Sequence, residues 1–198
     1  MEIRSFDGLA APKIVDGRTV EGYALVYNQR SKIMYDEKER RVFHEIISDK
    51  VASPELLERS DVKALIEHNR ERLLARYNKG VGTLSLEFDD HGLKYRFEAP
   101  NTPDGDFALE MIQRGDISGS SFAFRSYKPG SYSWTKEANG IWLRTVNKLD
   151  SLHDVTITAD PAYSGTEVTV RSITELDEEE HKEDDSYKEE LQRLRSLI

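Results

Sequence analysis

Residues 115–124 read GDISGSSFAF: two glycines and three serines, then Phe122 and Phe124 at the alternation of a strand. The glycines loosen the backbone ahead of a serine that a strand would hold at a fixed point. A serine hydroxyl is a poor nucleophile until a base takes its proton, so a fixed, accessible position near a histidine is what such chemistry requires. The stretch is close to the nucleophile elbow G-x-S-x-G, with Ala123 in place of the last glycine. That elbow must turn from strand into helix. Here FAFRSY continues as strand, which argues against an α/β-hydrolase and for a β-rich fold. From composition alone, Ser118, Ser120 and Ser121 compete for the role, and a plain small-residue turn explains them equally well.

Working outward, two further segments place a polar, chemically able residue in an apolar strand. VKALIEH at 62–68 predicts a strand whose Val62, Ala64, Ile66 and His68 share one face. A histidine at the end of such a face is partly desolvated, as a general base needs, although a backbone-bonded core-edge histidine is the simpler account. In LHDVTITADPAY, Asp154 lies opposite the apolar face of Val155 and Ile157, and His153 shares that face. An acid there can orient a histidine.

The remaining chain predicts strands at 20–27 and 41–47 and a short helix over 53–60 opened by Ser53 and Pro54. Successive antiparallel strands follow over 72–98 with a turn at DDHG, then a helix from the turn at 101 to Gly115. Residues 134–146 predict a hairpin around Asn139-Gly140, across which Trp134 and Trp142 pack. Residues 175–190 carry ten acidic side chains, which predicts a solvated linker over 173–198 that ends in a short amphipathic helix bearing Tyr187, Leu191, Leu194 and Ile198.

The 198 residues suffice for one domain with a core, here expected over 1–172. The absence of cysteine excludes disulfides, thiolate metal sites and cysteine nucleophiles. A net charge of −9 argues against a nucleic-acid ligand. No secretory signal is visible, and no apolar run approaches the roughly 20 residues of a membrane span. The expectation is a soluble protein that works where it is made and needs no metal or other cofactor. His44 and His91 lack metal-like partners.

The three segments, in this order, resemble the prohead (capsid maturation) serine proteases of tailed bacteriophages. An early G-x-A-x-x-Y strand is matched by Gly22, Ala24 and Tyr27, and a histidine with a following polar residue by His68-Asn69. The G-D-I-S-G-x-S-F-G-F-like strand is matched from Gly115 to Phe124, and the L-x-[ED]-V-S-x-V-x-x-P-A-Y-like end from Leu152 to Tyr163. The resemblance covers about residues 1–172. It implies an α+β, β-rich fold, with an antiparallel β-barrel core of the herpesvirus-protease (assemblin) type surrounded by a few helices. It implies Ser121 as nucleophile, His68 as base and Asp154 as third member. Because assemblins use a histidine third, His153 stays a rival. The oxyanion hole is open between backbone N–H groups near Ser121 and an arginine.

The same resemblance implies a serine endopeptidase acting in the host cytoplasm inside the assembling prohead. Its substrates would be the scaffolding segment of the major capsid protein and the protease itself, and a homodimer is possible by analogy with assemblins. The alternative is a non-catalytic internal scaffold or assembly factor on the same fold, which the acidic tail suits equally. A small-molecule esterase ranks below both because the strand continues past Ser121.

Overall fold

The computed structural model describes residues 1–36 and 39–161. The expected acidic linker, its terminal helix and Tyr163 of the last motif lie outside the described residues.

Chain order begins with β1 (Glu2–Phe6), β2 (Lys13–Asp16), β3 (Thr19–Val26), β4 (Met34–Asp36) and β5 (Arg41–Ile47). Helix α1 (Pro54–Arg59) leads into β6 (Asp61–Ile66), β7 (Asn69–Asn78), β8 (Val81–Gly82), β9 (Leu84–Phe88) and β10 (Gly92–Glu98). Helix α2 (Pro103–Arg114) precedes β11 (Gly119–Arg125), β12 (Tyr132–Lys136), β13 (Trp142–Val146) and β14 (Ser151–Thr158). Both helices start as their caps dictate. Ser53 and Thr102 accept hydrogen bonds from the N–H groups of Leu56 and Gly105, and a proline occupies the first turn of each. Helix α2 stops at Gly115, whose φ of 80° is the left-handed value a helix end favours. Replacing Ser53 with alanine is therefore expected to cost about 1 kcal/mol of stability, read as a lower urea midpoint with an unchanged slope.

The strands form three sheets, in the orders β1-β11-β14-β6-β7-β8, β2-β3-β10-β9 and β12-β13-β5-β4. None closes on itself, so the barrel core expected from the resemblance is not present among the described residues. Closure needs the first and last strands of one sheet to meet through a common tilt and stagger. Here the six-stranded sheet ends at β1 on one side and at the two-residue β8 on the other. The pairing is also not purely antiparallel, because β14 runs parallel to β6 and β13 parallel to β5.

The core lies against one face of the six-stranded sheet. Phe122 and Phe124 stack at 4.8 Å, Phe6 stacks on Phe122 at 6.2 Å, and Tyr95, Leu93, Val155 and Ile157 are buried with them. On the third sheet, Trp134 and Trp142 meet edge to face at 6.5 Å across the predicted hairpin. The Arg41 guanidinium lies 4.6 and 4.4 Å from the two rings.

Candidate active site

The two hydroxyls of Ser120 and Ser121 leave β11 on opposite faces, as strand alternation demands. Ser120 turns toward the core, bonded to Tyr95 Oη (2.8 Å) and to the Ala10 carbonyl (2.6 Å). Ser121 takes the other face. Ser118 lies exposed ahead of the strand.

Pairing then builds a row of side chains on the Ser121 face. Ser121 pairs with Thr156 of β14, and Ala123 pairs with Asp154. Residues directly opposite in a ladder share a face, so Ser121, Ala123, Asp154 and Thr156 all project together. One residue of β14 has no counterpart: Ala123 pairs with Asp154 but Phe124 with Leu152, which makes His153 a bulge. His153 is bonded through Nε2 to Ser151 Oγ at 2.9 Å. Burial and the nearby Arg125 push its pKa below the ordinary 6.5, so it is neutral at pH 7.

His68 does not continue the face of Val62, Ala64 and Ile66. Strand β6 ends at Ile66, and Glu67 and His68 both adopt left-handed backbone (φ 51° and 53°) as a two-residue turn into β7. Positive φ at both positions matches the right-handed twist of the flanking strands, although glycine and asparagine usually supply it. Tertiary bonds hold the turn here. The Glu67 carboxylate accepts from Thr158 Oγ1 (2.7 Å) and from the Ala159 N–H (2.6 Å), and the Glu67 N–H donates to the Ile157 carbonyl (3.2 Å). The turn is thereby tied to the end of β14, and His68 is carried over the sheet face.

The His68 ring bridges the row. Its Nδ1 lies 2.7 Å from Asp154 Oδ1 and its Nε2 lies 2.7 Å from Ser121 Oγ. With the Nδ1 proton donated to the carboxylate, Nε2 is left as acceptor for the serine hydroxyl. Thr156 Oγ1 donates to the same Asp154 oxygen at 3.2 Å. Ser121 is 1% exposed and Asp154 6%, whereas the His68 side chain keeps 19% of its surface. The predicted residues His68, Ser121 and Asp154 thus meet, while His153, Ser118 and Ser120 do not join them.

Sequence reasoning did not pick out Thr156, Glu67 or Ser5, whose hydroxyl is 3.0 Å from Ser121 Oγ. Thr156 lies two residues beyond Asp154, so alternation alone puts it on the same face. Glu67 carried no signal beyond adjacency to His68, and the Ser5 contact spans 116 residues. Among the described residues, no group of three or more His, Asp or Glu is arranged to hold a metal ion, and no helix is long and apolar enough to cross a membrane.

A serine, an imidazole and a carboxylate bonded in series are the arrangement with which serine hydrolases activate a hydroxyl. The caudovirus prohead serine protease profile matches residues 9–182, and the chain belongs to that family. Membership makes it a serine peptidase of the kind that matures phage capsids inside the assembling prohead. No curated protein and no solved structure matches the chain.

Proposed function

We propose that the chain is an endopeptidase in which Ser121, His68 and Asp154 act as nucleophile, general base and orienting carboxylate. The observation that carries this reading is the His68 ring held at 2.7 Å from both partners, with the acid on Nδ1 and the hydroxyl on Nε2. Ser121 Oγ attacks the carbonyl carbon of a peptide bond as its proton passes to His68 Nε2. The C–N bond then breaks, and the same proton goes to the departing amine. Water attacks the resulting ester with His68 again as base, which releases the new carboxyl end and restores the serine. Asp154 keeps the Nδ1 proton in place and stabilises the imidazolium.

Family membership supports a capsid-protein substrate, and we take the bond cleaved to lie in the scaffolding segment of the major capsid protein. We place self-cleavage in the acidic stretch after residue 172, on the strength of its many charged and few apolar residues. Co-expression with the cognate major capsid protein tests both. Wild type is expected to shorten the capsid protein and to lose its own C-terminal residues by mass, and Ser121→Ala to do neither. A fluorophosphonate probe should label wild type and Ser120→Ala but not Ser121→Ala. Equal shortening by wild type and Ser121→Ala would sink the assignment of the nucleophile. No shortening and no labelling by either would favour a non-catalytic scaffold.

A further inference from the structure

A second hydroxyl reaches the oxygen at the centre of the site. Strand β1 pairs antiparallel with β11, with Ser5 directly opposite Ser121. The Ser5 hydroxyl, in a residue 4% exposed, donates to Ser121 Oγ at 3.0 Å. We propose that Ser5 is a functional member of the site: it directs the Ser121 proton to His68 and hydrogen-bonds the Ser121 oxygen as it gains negative charge. This rests on Ser121 being the nucleophile.

The Ser121 hydroxyl has one proton and two acceptors in reach, His68 Nε2 at 2.7 Å and the Arg4 carbonyl at 2.9 Å. Only the first arrangement leads to proton transfer; the second parks the proton on the backbone. A hydrogen bond received from Ser5 polarises the Ser121 O–H and favours its donation to the more basic imidazole nitrogen. When the proton leaves, the Ser5 bond changes from neutral to charge-assisted and so strengthens in the transition state. The same contact steadies the alkoxide that departs when the ester intermediate is hydrolysed.

The scaffold holds Ser5 for this purpose. Five register pairs bind β1 to β11, from Glu2↔Phe124 to Phe6↔Ser120. On the opposite face of β1, Arg4 Nε is bonded to the buried Glu45 at 2.5 Å and Phe6 stacks on Phe122. Neighbours on both sides are therefore pinned, and the hydroxyl of Ser5 is presented to Ser121 with little freedom to turn away. Strand β1 precedes residues 9–182, so Ser5 lies outside the stretch that the family profile covers, while Ser121 lies within it.

The test compares fluorophosphonate labelling rates at Ser121 across pH for wild type, Ser5→Ala, Ser5→Val and Ser5→Thr, alongside their urea midpoints. Valine and threonine share shape and strand preference and differ in the hydroxyl, so their contrast isolates the hydrogen bond from packing. Ser5→Ala and Ser5→Val are expected to label about tenfold more slowly, the loss of one hydrogen bond that strengthens with charge. The pH midpoint should hold, and Ser5→Thr should stay near wild type. Wild-type rates in both Ser5→Ala and Ser5→Val overturn the proposal, as does a Ser5→Thr rate as low as that of Ser5→Val. If wild type itself is not labelled at Ser121, the nucleophile assignment fails and takes this proposal with it; a labelled wild type with unaffected variants removes Ser5 alone.

Discussion

Asparagine at position 154 is expected to lower the rate of peptide-bond cleavage about ten-thousand-fold while the fold stays intact. The change is nearly isosteric, and Asp154 is 6% exposed, so packing around it should survive. What changes is the donor pattern. Asp154 Oδ1 now accepts from both His68 Nδ1 (2.7 Å) and Thr156 Oγ1 (3.2 Å), and a carboxylate does this in either orientation. An asparagine that turns its amide nitrogen toward the ring donates to Nδ1 instead. The imidazole proton then sits on Nε2, pointing at Ser121, and the base is lost. The Thr156 hydroxyl stabilises that wrong orientation by accepting the second amide proton. The measurement is the first-order rate of capsid-protein shortening, with far-ultraviolet circular dichroism as control for folding. His153→Ala is the companion variant. Its ring is bonded to Ser151, so the rate should stay near wild type. A slow His153→Ala beside an Asp154→Asn within tenfold of wild type would reverse the roles of the two residues.

The contrast between Asp154 and His68 shows what a sequence can carry. Alternation along LHDVTIT puts Asp154 opposite the face of Val155 and Ile157 without any knowledge of partners, and the ladder to β11 keeps it so. The helix starts at Ser53-Pro54 and Thr102-Pro103 are equally local, since caps act over three or four residues. His68 is different. Alternation carried one step too far puts it on a strand, because Glu-His is not a dipeptide that advertises left-handed backbone. The turn there depends on Glu67 reaching Thr158 and Ala159, more than 90 residues away. The absence of a barrel has the same origin. The strands at 20–27, 41–47 and 72–98 are visible in their own patterns, whereas β1, β2 and β4 are not, and whether β1 and β8 meet is decided by tilt and register between distant segments. Ser5 combines both difficulties, as an ordinary serine made significant by a register formed across 116 residues.

Glu45→Gln is the other large effect, and it falls on stability. Glu45 is wholly buried on β5, where Arg4 and Arg144 both bond its carboxylate; Glu2, more exposed, also receives both arginines. Burial alone pushes the Glu45 carboxyl up, but the two guanidinium groups outweigh it and hold its pKa below the ordinary 4.5. Glutamine leaves the buried Arg4 and the partly buried Arg144 facing one peripheral carboxylate, at a cost of about 3–5 kcal/mol. Urea unfolding at pH 7 measures the loss. Because the folded carboxyl is the stronger acid, its contribution is complete above 4.5 and disappears as pH falls from there through the folded-state value. The gap between wild type and Glu45→Gln should therefore narrow as pH falls from 4.5, and a gap that stays constant in acid would show that the charge is not its source. Arg4 stands next to Ser5 on β1, so loosening its anchor should slow labelling of Ser121 through Ser5. Adding Glu45→Gln to Ser5→Ala should then leave the labelling rate of the folded protein where Ser5→Ala alone puts it, the non-additivity expected of two residues that act through one contact.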